Sequence, residues 1–469
     1  MGDGIEGLRR WLAPLGAELP EVYAVGGAVR DHLLGRASQD VDLMCADPEG
    51  LARRLKAVHD AAIVPFLKKP GAPCLRAVSR AAPGDFIDLV PMHGGSVSSD
   101  LGRRDFTINA MALRLLPGGV PGELLDPLDG RRDLAARIVR AAGERALLED
   151  PLRVLRAARF AAELGFRIEP GTVALMAAAA GRLPGVAAER ITRELFLTLQ
   201  APRSAPLVRL LDETGALQAV FPEIGPMKGC RQNAYHHRDV WGHTLEALER
   251  LEDLLSGLEG NFGPAAAAVA AYLDAGRRRA LLKLAVLLHD VGKPGSRAVA
   301  PADGRVTFYG HDALGGAAAE EAGRRLKLSA AEQEALALLV RHHMHLHALA
   351  APGVAPRTIA RWFRRHGEAM TALVLVFMAD TDATRGPAHA ASERERLLGW
   401  GREAVRSYYG ELKARLERRP LIGGRDLAAL GMAPGPAMGR VLAAVREAQD
   451  AGAVASRAEA LALARSLMH

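Results

Sequence analysis

A mixed α/β N-terminal part followed by an almost wholly helical remainder is the fold class the sequence predicts, and three observations predict it. Short runs rich in β-branched and aromatic residues, EVYAVGG, VDLMC and DFIDLV, lie in the first third between Gly, Pro and Asp, as strands do. From LLEDPLRVLRAARFAAELGF onward, apolar residues recur at helical spacing almost to the C-terminus. Ala, Leu and Arg are abundant while aromatics make up only 4% of the chain, a composition that favours helices. At 469 residues, 49% of them apolar, the chain is too long for one core, and about two to four domains are expected.

Composition narrows the class. Cys45, Cys74 and Cys230 are far apart, without C-x-x-C spacing, which argues against a disulfide framework or a Cys-based zinc site and fits a reducing cytoplasm. The opening MGDGIEGLRRWLAPLG lacks the apolar core of a secretory signal, and Glu6 stands where myristoylation needs Ser or Thr. Apolar stretches such as Ala265–Leu273 and Leu284–Leu288 are too short to span a bilayer, so no membrane is expected. The net charge of +7, from 61 basic and 54 acidic residues, suits a polyanionic partner.

The elements follow in order. GLARRLKAVHD has helical spacing between the predicted strands, which gives a small α/β domain over 1–135. A helical segment, 136–229, ends at the Pro/Gly-rich break FPEIGPMKG. Residues 230–390 carry most of the histidines and read as a separate functional region, with the Ala-rich patch near 264–271 as a loop or helix start. Residues 391–469 are a helical tail around the turn-rich GMAPGPAMG. No internal repeat is visible.

The first constellation lies in YAVGGAVRDHLLGRASQDVDLM. Gly26 and Gly27 follow a strand and precede a helix-like run, where glycine lets backbone N–H groups approach a phosphate. Arg30 would supply a fork for phosphate oxygens. Asp40 and Asp42 alternate on a strand and so share a face, where they can hold one or two Mg²⁺ ions. Asp88 is the candidate third carboxylate, on a neighbouring strand. Further on, Asp150, Arg153 and Arg156 are spaced by three and read as a stripe on one helix. An Asp acceptor and an Arg donor there can pair with the edge of a base.

GGAVRDHLLGRASQDVD resembles the signature of the polymerase β nucleotidyltransferase superfamily, and more narrowly that of class II tRNA nucleotidyltransferases and bacterial poly(A) polymerases. RRDFTINAMAL, DPLDGRRDLAARIVRAAG, EDPLRVLRAARF and ERITREL resemble that family's later motifs in the family's order, and LIGGRDLAALGMAPGPAMG resembles its C-terminal region. The resemblance implies a polymerase β-like mixed sheet for the head. It assigns Asp40, Asp42 and Asp88 to catalysis, Arg104 and Asp105 to ribose selection and support of the metal site, and Asp150 and Arg153 to base reading. Arg156 and Arg159 would contact phosphate or support the site. It implies CTP, ATP and a tRNA 3′ end as partners, without DNA. Relatives that add the full C-C-A carry a flexible loop between the third-carboxylate strand and RRDFT. Here only Leu89 to Gly102, 14 residues, intervene, as in relatives that add C-C alone.

The second constellation is LAVLLHDVGKP with outlying His and Asp residues. Scattered His and Asp on several helices build a buried metal site, and an Asp beside a His can bridge two metals. The region resembles the HD phosphohydrolase superfamily. By that resemblance His243, His289, Asp290 and Asp380 are ligands of a divalent metal (Mg, Mn, Ni, Co or Fe). His311 and His342 are extra ligands for a second ion, with His343 competing for the role of His342.

RNA contact is expected on the basic stretches GRRR (276–279), RWFRRHG (361–367) and RLERRP (415–420), because the partner is a polyanion. The leading expectation is a tRNA 3′-end nucleotidyltransferase with a metal-dependent phosphohydrolase. The alternatives are a poly(A) polymerase, an inactive RNA- or nucleotide-binding protein, and a chain whose main activity is the HD region.

Overall fold

The computed structural model describes residues 4–38, 40–69 and 72–468. The chain forms two compact units: one takes residues up to Ala187 together with Leu210–Val220, the other Ala188–Arg209 together with the chain from Phe221 onward. The expected neck, 136–229, is therefore shared between them.

The first unit is built on a seven-stranded sheet: β1 Val22–Val25, β2 Asp42–Cys45, β3 Ala61–Lys69, β4 Ala72–Ser79, β5 Phe86–Pro91, β6 Ala112–Leu116 and β7 Val120–Leu125. Their order is β3-β4-β5-β2-β1-β6-β7. Only β2 and β5 run parallel within it. The helix Pro48–Val58 and the β3–β4 hairpin lie between these two in the chain, as a parallel pair requires a crossover connection. It begins where Asp47 Oδ1 accepts from Gly50 N at 2.8 Å, with Pro48 pre-set for the first turn. Tyr23, Val25, Met44, Leu101, Ala110 and Ala112 form the core against one face of the sheet. Period-2 alternation puts Asp42 and Asp88 on that same face.

The sequence reading missed β3, β4, β6 and β7. AAIVPFLKK carries Pro65 inside the run, which argues against a central strand; β3 is an edge strand, where a missing N–H costs nothing.

In the second unit, the helices Val240–Ser256, Arg278–Leu288, His311–Arg325, Ala330–His342 and Ala369–Ala383 surround the histidines. Ala369–Ala383 is buried almost all round, as its apolar run MTALVLVFMA dictates. Lys283, fully buried, donates from Nζ to Glu252 Oε1 at 2.7 Å, to Ala201 O at 2.6 Å and to Ser204 Oγ at 3.2 Å. Glu252 accepts in turn from Ser204 N and Oγ, both at 2.7 Å. This pair ties the end of the helix Ala188–Gln200 to the bundle. The Ala-rich patch is a 3₁₀ turn, Gly263–Ala265, opening the helix Ala266–Asp274. In the tail, Ile422, Leu427, Met438, Val441 and Val445 form a separate small core. No helix among the described residues is long and apolar enough to cross a membrane.

Candidate nucleotidyl-transfer and metal sites

β1 ends at Val25 and the chain turns at Gly26, whose φ of 73° favours glycine. A Cβ there would also sit 3.0 Å from Arg104 Nη1. Arg104 is anchored by Nε and Nη2 on Asp100 Oδ2, at 3.1 and 2.9 Å, so its guanidinium lies over the glycine turn. Arg30 does not present the open fork the sequence predicted. It is 5% exposed, donates to Asp31 at 2.9 and 3.0 Å and to Asn109 at 2.9 Å, and stands over the Phe160 ring. Arg104 is the guanidinium nearer the glycine turn.

Asp42 opens β2 and pairs in register with Asp88 on the parallel β5. Asp40 is exposed and lies two residues before the strand, not on it as predicted. Pairing with β5 reaches back to Val41, whose carbonyl accepts from Asp88 N at 3.0 Å. Asp88 is 1% exposed and gripped by Arg76, Nε to Oδ1 at 2.7 Å and Nη2 to Oδ2 at 3.0 Å. Arg76 lies opposite Asp88 in the β4–β5 register and stacks 3.9 Å from the Phe86 centroid. Its pKa is raised, first by Asp88 and further by the charges of Asp40 and Asp42. The sequence reading missed Arg76, because nothing local marks β4.

Asp105 is buried and accepts from Asn109 Nδ2 at 3.2 Å, from Phe106 N at 2.9 Å, and from Arg156 Nε at 2.9 Å and Nη2 at 2.5 Å. Burial alone would raise its pKa, but Arg156 and Asn109 hold the carboxyl well below the usual range. Asp150 is not on a helix with Arg153 and Arg156, as predicted. The helix begins at Arg153, and Asp150 is extended (φ −136°, ψ 93°) because Pro151 follows it. Arg153 is buried and donates to the carbonyls of Arg103 at 2.8 Å and of Arg104 and Ala146 at 3.1 Å. Arg159 pairs with Glu163 at 2.7 Å and lies 3.9 Å from the Phe160 centroid.

In the second unit, two buried triads converge: His243, His289 and Asp380, and Asp290, His311 and His343, the ligand atoms of each within 4.8 Å of one another. Asp290 faces both. Its Oδ2 is 3.2 Å from His289 Nε2, and its Oδ1 is 3.7 Å from the Nε2 atoms of His311 and His343. His289, His311 and His343 each place Nδ1 2.7 Å from the carbonyl three residues back, which leaves Nε2 to point inward. His289 Nε2 is buried without a hydrogen-bond partner. The inward Nε2 atoms and the carboxylates fit a pair of divalent cations, whose binding would displace the proton that Asp290 and Asp380 favour on His289. Burial would lower the His289 pKa, but Asp290 and Asp380 hold it up to about 10.

His342, predicted as a ligand, is replaced by His343. His342 faces away, packing against Trp362, His345 and His366. Gly292 explains how His311 comes so close: a Cβ there would lie 2.1 Å from His311 O and 2.6 Å from Gly315 N. Three neighbours were missed. Lys293 Nζ is 2.6 Å from Asp290 Oδ2, His236 stacks edge-on to His243 at 4.9 Å, and His347 Nε2 is 3.8 Å from Asp380 Oδ2. The signal for Lys293 was its place three residues after Asp290 in HDVGKP. The basic stretches are less open than expected: Arg277, Arg278, Arg279, Arg361 and Arg364 are paired with Glu332, Glu368, Asp274, Glu447 and Asp450.

Residues 22–140 match the poly A polymerase head domain, 165–227 the probable RNA and SrmB-binding site of polymerase A, and 240–385 the HD domain. The fold and the sites thus define a nucleotidyltransferase head joined to an HD domain, both of metal-dependent families. The chain is 37% identical over 460 residues to the A-adding tRNA nucleotidyltransferase of Deinococcus radiodurans, covering 96% of each. It is 34% identical over 450 residues to the CC-adding tRNA nucleotidyltransferase of Thermus thermophilus, covering 94% of this chain and 92% of that one. It belongs to the tRNA nucleotidyltransferase family. The same fold is found in a CCA-adding enzyme solved with CTP (23% identity, TM-score 0.67, 100% and 96% of the two chains). It is also found in the Thermotoga maritima CCA-adding enzyme solved with tRNA (22% identity, TM-score 0.66, 100% and 97%).

Proposed function

We propose that this chain adds C-C to the 3′ end of tRNA from CTP, without a template, and that its HD domain hydrolyses phosphate esters. The observation that carries the first part is the convergence of Asp42 and Asp88 in register, with Asp40 two residues ahead, beside the Gly26 turn and Arg104. Asp40 and Asp42 would hold Mg²⁺, which supplies acidity to the attacking 3′-hydroxyl and charge neutralisation to the triphosphate. The backbone at Gly26–Gly27 and the Arg104 guanidinium bind the triphosphate. Asp150 accepts from the amino group that cytosine and adenine share. Arg153 reaches the base only by giving up a carbonyl bond it holds now.

C-C addition is supported by the short connection after β5. It is occupied by a turn at His93–Gly95 and the helix Val97–Gly102. Ser96 caps that helix on Ser99 N at 3.2 Å, and Asp100 accepts from His93 N at 3.2 Å. This connection leaves little chain for the flexible loop of full C-C-A adders. A second reading, addition of the terminal A, is favoured by the Deinococcus relative. The test offers tRNA lacking C-C-A, and tRNA ending in C-C, to the protein with CTP alone, ATP alone or both. C-C addition gives two residues on the first tRNA and none on the second. A-addition gives one residue on the second alone, three residues in the tube with both nucleotides means full C-C-A addition, and a long ladder with ATP means a poly(A) polymerase.

In the HD domain, His243, His289 and Asp380 would hold one divalent ion and Asp290, His311 and His343 the other, supplying an acidified water. Such a water would supply the oxygen of a new P–O bond as the P–O bond to the ester oxygen breaks, its proton going to the leaving oxygen. Lys293, beside Asp290, stabilises the phosphoryl oxygens.

A further inference from the structure

Three histidines outside the HD centre gather where three helical segments of the second unit come together. His342 ends the helix Ala330–His342, His345 starts His345–Leu349, and His366 ends Pro356–His366. The His342 ring stands 4.9 Å from that of His345 and 5.3 Å from that of His366. Trp362 touches all three: it lies 5.6 Å from His342 and 5.3 Å from His345, and stacks on His366 at 4.8 Å. His345 is exposed and the other two are half-buried, so solvent reaches the cluster. Neither the nucleotidyl-transfer reading nor the HD ligand set uses any of the three.

The spacing is that of metal ligands. His342 Nδ1 and His345 Nδ1 are 3.4 Å apart. Two imidazole nitrogens bound to one tetrahedral Zn²⁺, each at ~2.0–2.1 Å, lie about 3.3–3.4 Å from each other. His366 Nε2 is buried without a hydrogen-bond partner, and burial first, then the charges of Arg365 and His345, lowers the pKa of its ring. That ring is therefore neutral at pH 7, the state a metal needs. Closing all three on one ion takes a swing of the His366 ring toward the pair. Because two helices end at His342 and His366, the negative ends of both dipoles lie at the cluster and favour a cation. A set of imidazoles alone suits Zn²⁺, Ni²⁺ or Cu²⁺ rather than Mg²⁺.

We infer that His342, His345 and His366 form a further metal site, separate from the HD pair, for a divalent transition cation that prefers imidazole. The inference does not rest on the phosphohydrolase reading. Arg341 and Arg365 place positive charge close to His342, and the site has no carboxylate ligand, so its ion is held more loosely than those of the buried centre. It exchanges, and leaves on dialysis against metal-free buffer. Elemental analysis of dialysed protein then counts the buried ions alone.

The test uses the full chain, free of any affinity tag, and the variants His345→Gln, His366→Gln and Trp362→Phe. Ni²⁺ is titrated while tryptophan fluorescence is read, and bound Ni²⁺ is counted by equilibrium dialysis at a fixed free concentration. An ion beside Trp362 quenches it. Trp241, on the same helix as the HD ligand His243, reports the HD centre, so its share of any quench should persist in every variant. The parent should bind one more Ni²⁺ per chain than either histidine variant. Each histidine variant should raise the Kd of the Trp362 quench about 10- to 100-fold, the loss caused even by removing a ligand's supporting partner. Trp362→Phe should lose that quench and keep the parent's ion count. The inference is overturned if either histidine variant binds as many ions as tightly as the parent, or if Trp362→Phe retains the whole quench.

Discussion

Replacing Lys283 by Met tests whether the buried Lys283–Glu252 pair holds the neck helix to the HD bundle. The substitution keeps the volume and removes the charge, which leaves Glu252, 1% exposed, with donors only from Ser204 and Ala205. A buried carboxylate without its cation takes up a proton instead. An ordinary glutamate titrates near pH 4.3, and each further pH unit costs about 1.4 kcal/mol, so protonation at pH 7 costs about 4 kcal/mol. That is a ceiling near the ~3–5 kcal/mol measured for breaking buried pairs. The sign follows: a carboxyl more easily protonated folded than unfolded destabilises above its unfolded pKa. The loss should thus shrink from about 4 kcal/mol at pH 7 to about 1 kcal/mol at pH 5. Urea unfolding at the two pH values reads it. The double variant Lys283→Met, Glu252→Leu should recover most of the loss, because apolar replacement of a buried pair is often neutral. A single-variant loss that is small at both pH values, or that does not change with pH, would refute the reasoning.

Other outcomes follow from the same geometry. His343→Ala should bind one divalent ion fewer per chain than the parent by elemental analysis, while His342→Ala binds as many. Gly292→Ala should lower Tm and metal content together, because its Cβ has no room beside His311 O. Asp105→Asn should cost roughly 2–3 kcal/mol at neutral pH, the value of a hydrogen-bonded charge discounted for the partly exposed Arg156. Because the Asp105 pKa is depressed, its contribution is present above the usual carboxylate range and is lost as pH falls below that range through the depressed native value. The gap between parent and variant should therefore close in acid-unfolding curves.

Much of the head was legible because each piece of its chemistry is a short run of neighbouring residues: the glycine turn after β1, Asp42 at the start of β2, and RRD after the helix Val97–Gly102. The β3–β4 hairpin was not, so Arg76, brought opposite Asp88 by strand pairing alone, stayed invisible. Asp150 was misplaced because spacing by three was read as helix through a proline that forbids it. His343 had a readable signal that went unused. It continues the buried positions Leu336, Leu339 and Val340 at helical spacing, while His342 is turned about 100° away. The convergence of His243, His289, Asp290, His311 and Asp380 came from the resemblance, since no local pattern relates residues so far apart.

The central claim is tested most directly by counting cytidines added to tRNA lacking C-C-A, using labelled CTP with the parent protein and with Asp42→Asn. The account predicts two per 3′ end with the parent and none with Asp42→Asn, which should still bind the tRNA. Undiminished addition by Asp42→Asn, or no addition by a parent protein that binds the tRNA, would contradict it.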